Sequence, residues 1–272
     1  MISDADKHRF SSQGFLVLER LVPEELCSAA RAAIAGFLGI DEQDPSSWHR
    51  PNLQGHGIVP LHHAQALWDL RQFPAVHQAF ADLYGTARLW VSIDRASFKA
   101  PADGFDGPYR TDPIHWDAEP RQIQRLSIQG LIYLTDTSTE QGGFCCVPDL
   151  YRDLAGYLRR HPTDPAPRQP DVNGYTVQTV SAPAGSLVLW DRRMPHSSGE
   201  NRSNRPRWVA YVAMEPAGDE SARAALAALY REKRPPQWAV RQQVAGQQIP
   251  EPGEPARLTD LGRRLTGLDR WP

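Results

Sequence analysis

The sequence is poor in the features that mark secreted, membrane or nucleic-acid-binding proteins. Cysteine occurs three times in 272 residues, at Cys27, Cys145 and Cys146, and two of these are sequence neighbours. Adjacent cysteines rarely make a structural disulfide, so no disulfide framework is expected and a reducing compartment fits. No run of about 18 apolar residues is present, and the N-terminus lacks the basic start and apolar stretch of a signal peptide. The expectations are no membrane association and a cytoplasmic location. Nor is there an excess of one charge: 30 Lys and Arg stand against 32 Asp and Glu, for a formal net charge of -2. Without a basic stripe, no nucleic-acid partner is expected, and a small-molecule substrate is the remaining partner class.

A hydrophobic content of 40% over 272 residues suffices for a sizeable core. One domain over 1–272 is expected, with a mostly helical part at 1–88, a β core at 89–215, and a helix and extended arm at 216–272. Helical patterns cover Asp4 to Ser11, Pro23 to Leu38, Ala64 to Tyr84 and Glu220 to Glu232, with a short one near Leu258 to Leu265. Strand patterns cover Gly14 to Leu18, Leu89 to Phe98, Arg125 to Thr135 and Phe144 to Val147. Further ones follow at Tyr175 to Ser181, Ser186 to Trp190 and Arg207 to Met214. Short strands in series between Gly and Pro turns predict a mainly β fold, a double-stranded β-helix (a cupin-like jelly roll) with N-terminal and peripheral helices packed outside. Pro235 to Pro255 reads as an extended arm with little apolar content, and Pro101 to Pro113 as a long loop of the kind that forms lids.

The chemistry concentrates in His115-Trp116-Asp117 and, far along the chain, His196. Residues two apart on an extended segment point the same way, so His115 and Asp117 can grip one metal while Trp116 faces away. His196, just past the apolar run Leu187 to Asp191, supplies a third ligand from a different strand. Two imidazoles and one carboxylate can occupy one face of iron(II) and leave positions open for a co-substrate and dioxygen. The same donor set also suits catalytic zinc, which keeps a zinc hydrolase as an alternative. A jelly roll that binds metal or ligand without turnover is another.

Arg207 opens a strand on which Arg207, Val209, Tyr211 and Ala213 share a face, aiming its guanidinium inward. A guanidinium fork fits the far carboxylate of a 2-oxo diacid whose other end chelates the metal. Arg202 and Arg205, in the polar turn Asn201 to Pro206, are the competing cations. Ser198 is placed to donate to the same carboxylate, and Gln129, Tyr133 and Lys99 are candidate contacts for co-substrate or substrate. Cys145 and Cys146 read as small hydrophobes of a buried strand. His56, His62 and His63 read as loop histidines, exposed or hydrogen-bonded, rather than a second metal site. Arg110, Arg121 and Arg125 near the metal motif identify no substrate.

These residues resemble the phytanoyl-CoA dioxygenase family of iron(II)- and 2-oxoglutarate-dependent oxygenases. The resemblance rests on Phe98-Lys99-Ala100-Pro101, His115-Trp116-Asp117, Leu134-Thr135-Asp136, Gln141-Gly142-Gly143-Phe144, Val147-Pro148, Gly185 to Trp190 and His196 to Arg207. It implies iron on His115, Asp117 and His196, and 2-oxoglutarate on Arg207, the position eleven after His196. It also implies dioxygen consumption, release of succinate and carbon dioxide, and hydroxylation of an unactivated carbon, with desaturation, epimerisation or ring closure as variants. The chain departs from the family where Asp149 to Arg152 replaces a Gly-Ser-His run, and where Leu131 stands in place of tryptophan. Asp117 is retained, which disfavours halogenation.

Overall fold

The computed structural model describes residues 2–49, 57–103, 112–163 and 166–272. Helix α1 (Asp4–Gln13) begins where Ser3 and Asp6 cap each other and ends at Gly14, φ 76°. A side chain at Gly14 would meet Met194 and Tyr151 at 2.6 Å, so glycine is required there for conformation and for space. Strand β1 (Phe15–Leu18) and α2 (Glu24–Leu38) follow.

Then come β2 (Ile58–Val59), α3 (Gln65–Arg71), α4 (Pro74–Tyr84), β3 (Leu89–Val91), β4 (Ala96–Lys99) and β5 (Ile128–Tyr133). The chain continues through β6 (Phe144–Cys146), α5 (Pro148–Arg152), α6 (Leu154–Arg160), β7 (Gln178–Val180), β8 (Leu187–Asp191), β9 (His196–Ser198) and β10 (Arg207–Pro216). It closes with α7 (Glu220–Arg231), α8 (Gln237–Arg241) and α9 (Asp260–Leu265).

The strands form two antiparallel sheets. The larger runs β1-β8-β5-β10-β4-β2, with β3 also on β10, and the smaller runs β7-β6-β9. Alternation assigns the faces of the large sheet. Ile128, Ile132, Leu187, Leu189, Trp208 and Val212 pack towards the helices, while Leu131, Tyr133, Val188, Trp190 and Val209 pack against Phe144, Cys146 and Val180 of the small sheet. The second interface forms the floor of the site described below.

Tyr133 ties the sheets together. Its hydroxyl donates to Val180 O and accepts from Phe144 N–H, each at 2.8 Å. Tyr133→Phe would leave both backbone groups short of a buried partner, and is expected to destabilise the protein by about 1–3 kcal/mol in urea denaturation.

Several segments differ from the sequence expectation for identifiable reasons. Ala64 to Tyr84 is two helices, because Pro74 lacks an N–H and Phe73 is held extended at ψ 123°. Leu89 to Phe98 is interrupted between Val91 and Ala96. The C-terminal arm is packed rather than free. The Glu251 carboxylate accepts the backbone N–H groups of His62 and His63 at 2.7 and 2.8 Å, and Ala239 is fully buried. Asp149 to Arg152, where the family pattern breaks, lies in helix α5. Among the described residues no helix is long and apolar enough to cross a membrane.

Candidate metal centre

His115 and His196 meet as an antiparallel bridge, exchanging backbone hydrogen bonds at 2.9 and 3.0 Å. Each ring is then fixed by its own chain: His115 Nδ1 lies 2.8 Å from Pro113 O, and His196 Nδ1 lies 2.9 Å from Met194 O. A carbonyl only accepts, so each Nδ1 carries a proton, and each Nε2 faces Asp117 and can give up its own proton to offer a lone pair to a metal. Those two atoms lie 3.5 Å from Asp117 Oδ1 and Oδ2 respectively. One ligand atom from each residue falls within 4.8 Å of the other two. Trp116 points away as expected, buried against Tyr157 with its Nε1–H donating to Arg193 O at 2.8 Å.

Burial works against charge at this cluster. The imidazoles and the Gln129 amide nevertheless hold the Asp117 carboxyl far below its usual range, and Asp117 holds His115 above its usual value. This is an environment that stabilises a bound cation. Its donor set, two neutral imidazoles and a carboxylate with only one side enclosed by protein ligands, fits a mononuclear iron(II) ion.

Arg207 is fully buried at the start of β10 and pairs across the strand with Lys99. Its Nη2 donates to Ser97 Oγ at 2.6 Å, while Nε and Nη1 have no hydrogen-bond partner among the described residues. Unpaired buried guanidinium donors are costly, and a dicarboxylate would supply what they lack. Lys99 Nζ donates to Ser198 Oγ and Gly199 O, both at 2.8 Å, so Lys99, Ser198 and Arg207 form one contiguous polar wall.

Burial, reinforced by Arg207, pushes the Lys99 ammonium down to about 7 from its ordinary 10.5. Between these values the unfolded chain binds more protons than the folded one, so stability rises with pH through that window. Relative to Lys99→Met, the unliganded protein is expected to gain about 2 kcal/mol between pH 7 and 9, measurable by denaturant titration at the two pH values.

Two of the sequence-derived co-substrate contacts have other employment. The Gln129 amide donates to Asp117 Oδ2 at 2.8 Å, orienting the carboxylate. The Tyr133 proton is committed to Val180 O, so it is not offered to a carboxylate. Arg205 is exposed in the turn before β10, and Arg125 is also exposed. Arg121 is engaged with Glu119 and with the backbone carbonyls of Leu158, His161 and Thr163. His62 and His63 are buried and hydrogen-bonded to backbone carbonyls, and burial pushes them down to about 3 and 4, which leaves them neutral. His56, Arg110 and most of the Pro101 to Pro113 loop lie outside the described residues. Cys145 and Cys146 are buried in β6, and burial pushes the Cys146 thiol up to about 12.

Sequence reasoning missed Ser97, although its place two residues before Lys99 puts it on the same face. It also missed Arg168, whose Nη2 lies 3.9 Å from Asp117 Oδ1 in an exposed position with no motif to mark it.

The family described as phytanoyl-CoA dioxygenase (PhyH) matches residues 10–209. A Dictyostelium discoideum protein of the phytanoyl-CoA dioxygenase type is 24% identical over 258 residues, covering 76% of this chain and 74% of that protein. Among solved structures, the non-heme alpha-ketoglutarate-dependent carbocyclase SnoK from nogalamycin biosynthesis superposes with TM-score 0.57 at 22% identity. That superposition covers 78% of this chain and 83% of SnoK. The epimerase SnoN, in complex with Fe3+, alpha-ketoglutarate and nogalamycin RO, gives TM-score 0.56 at 17% identity over 94% of this chain and 95% of SnoN.

Proposed function

We propose that this chain, which belongs to the phytanoyl-CoA dioxygenase family, is an iron(II)- and 2-oxoglutarate-dependent dioxygenase that hydroxylates an unactivated carbon of a small molecule. The observation that carries the reading is a three-donor metal face whose His196 shares β9 with Ser198, the acceptor of Lys99, which in turn pairs with a fully buried Arg207 guanidinium that has two donors unpaired. Bound iron(II), held by His115, Asp117 and His196, supplies oxidising chemistry with 2-oxoglutarate and dioxygen: R–H, 2-oxoglutarate and O2 become R–OH, succinate and CO2.

The residues of the chain bind and orient. Arg207 takes the far carboxylate of 2-oxoglutarate, with Ser198 and Lys99 beside it. Gln129 holds Asp117 in the ligating rotamer, and the backbone carbonyls of Pro113 and Met194 hold the two imidazoles. Phe144 stacks on His196 and the Trp190 ring tilts against it, with ring centroids at 5.9 and 5.2 Å, and the two keep water from that side of the site.

The fold supports this reading. From β5 onward the chain passes between the sheets in the order large, small, small, large, small, large, as expected of a double-stranded β-helix. The unpaired Arg207 donors argue against a zinc hydrolase, which has no use for a buried dicarboxylate clamp. A single catalytic domain in the cytoplasm is part of the same proposal.

Incubation of a metabolite extract with the iron-loaded protein, 2-oxoglutarate and isotopically heavy dioxygen tests the reaction type. Hydroxylation gives a new product carrying one heavy oxygen atom. A product without label would instead assign ring closure, desaturation or epimerisation to the same site.

A further inference from the structure

The pairing register slips by one residue beside the metal centre. β10 pairs Ala210 with Ala96 but Met214 with Val91, so Tyr211 to Ala213 face the longer segment Ser92 to Arg95. Such a bulge re-aims side chains, and here it presents Asp94 and Arg95. The Arg95 carbonyl accepts Tyr211 N–H at 3.0 Å. Two residues further along the same face of β10, Ala213 pairs with Gln129, whose amide reaches Asp117. Two inter-strand steps and two residues of strand place the Cα atoms of Arg95 and Gln129 roughly 12 Å apart, within the span of a small molecule.

Arg95 is held from one side only. The Trp238 ring lies 5.1 Å from its guanidinium carbon, and Nη1 donates to Gln242 Oε1, both partners coming from the C-terminal segment around α8. Nε is buried without a partner, and Nη2 makes no hydrogen bond among the described residues. Nε and Nη2 form the edge that grips a carboxylate side-on, as Arg193 grips Asp191 and Arg263 grips Asp269 in this same molecule.

Building on the dioxygenase reading above, we propose that Arg95 anchors a carboxylate of the oxidised substrate, with Trp238 and Gln242 of the C-terminal arm fixing the guanidinium for that contact. A carboxylate suits the position better than a phosphate dianion. The unpartnered edge offers two coplanar donors, and the adjacent Asp94, whose Oδ1 accepts the Arg95 backbone N–H, disfavours a second negative charge. The arm therefore contributes to substrate selection, although it carries no ligand of the metal.

The test uses the full-length iron-loaded protein with 2-oxoglutarate and a panel of amino acids and aliphatic carboxylic acids, each paired with its primary amide. At least one acid is expected to accelerate oxygen-dependent succinate formation while its amide does not. Arg95→Gln should raise the KM of that acid at least about thirtyfold with a much smaller change in kcat, and Arg95→Lys should fall between the two. Anaerobic titration should show that Arg95→Gln retains 2-oxoglutarate affinity. The assignment is overturned if no acid accelerates the reaction, if amides serve equally well, or if Arg95→Gln leaves KM unchanged. It is also overturned if Arg95→Gln loses 2-oxoglutarate affinity, which would place Arg95 in the co-substrate site. If the wild-type protein forms no succinate under any condition, the dioxygenase reading fails and this assignment falls with it; succinate formation without an effect of Arg95 isolates the failure to Arg95.

Discussion

Replacing any one of His115, Asp117 or His196 with alanine is expected to weaken iron(II) binding by at least about a hundredfold and to abolish turnover. Loss of an outer partner of a metal ligand already costs 10–100-fold as a rule, and here a ligand itself is removed from a set of three. Each loss also leaves the others poorly matched. Without Asp117 the site loses its one anionic ligand, and without either histidine the carboxylate keeps one imidazole and the Gln129 amide. Anaerobic iron(II) titration of the three variants, with circular dichroism to confirm folding, checks the expectation. Wild-type affinity in all three would remove the assignment of the centre. Gln129→Ala should have a smaller effect in the same direction, because it frees the carboxylate rotamer without removing a donor.

Arg207→Ala is expected to spare iron affinity and to weaken 2-oxoglutarate binding by about 2–5 kcal/mol, the usual consequence of removing one partner of a buried, hydrogen-bonded charge pair. That corresponds to roughly thirtyfold to several thousandfold in Kd. Arg205→Ala is the internal control. Its side chain is exposed, and it enters the local structure through its backbone carbonyl, which accepts from Asn201 Nδ2 and Ser203 Oγ, so the substitution should change Kd little. Titration of 2-oxoglutarate into the anaerobic iron complex of both variants separates the two arginines. Sensitivity at Arg205 rather than Arg207 would show that the register of β10 does not bring the co-substrate to the buried guanidinium.

The parts of the site legible in the sequence are those fixed by strand alternation. That rule placed Arg207, Val209 and Tyr211 on one face of β10, and put Trp116 opposite His115 and Asp117. It worked for Trp116 even though the segment forms a single bridge rather than a strand; Pro113 and Pro120 bracket it, and proline cannot supply a ladder donor. Alternation gives a face, however, and does not say which group a polar atom will meet. Gln129 and Tyr133 point inward as expected, but their partners, Asp117 and the backbone of Phe144 and Val180, come from segments whose approach no local pattern encodes.

The bulge at Ser92 to Arg95 is a one-residue mismatch between two strand segments, and neither segment shows it alone. The C-terminal arm has few apolar residues, a composition that predicts an extended segment. It is held instead by polar contacts remote in sequence: Glu251 on the backbone of His62 and His63, and the Gln72 amide on Arg257 O. The break at Pro74, by contrast, was written in the sequence, where a proline within a helical pattern limits the residue before it.

Oxygen-dependent succinate release tests the central claim most directly. The purified protein with iron(II), 2-oxoglutarate and dioxygen is expected to form succinate slowly without its substrate and faster with it. Zinc should support none, because it has no accessible redox change. A folded, metal-loaded sample that binds 2-oxoglutarate yet forms no succinate across a broad metabolite screen, or one whose turnover proceeds with zinc and without oxygen, would contradict the account.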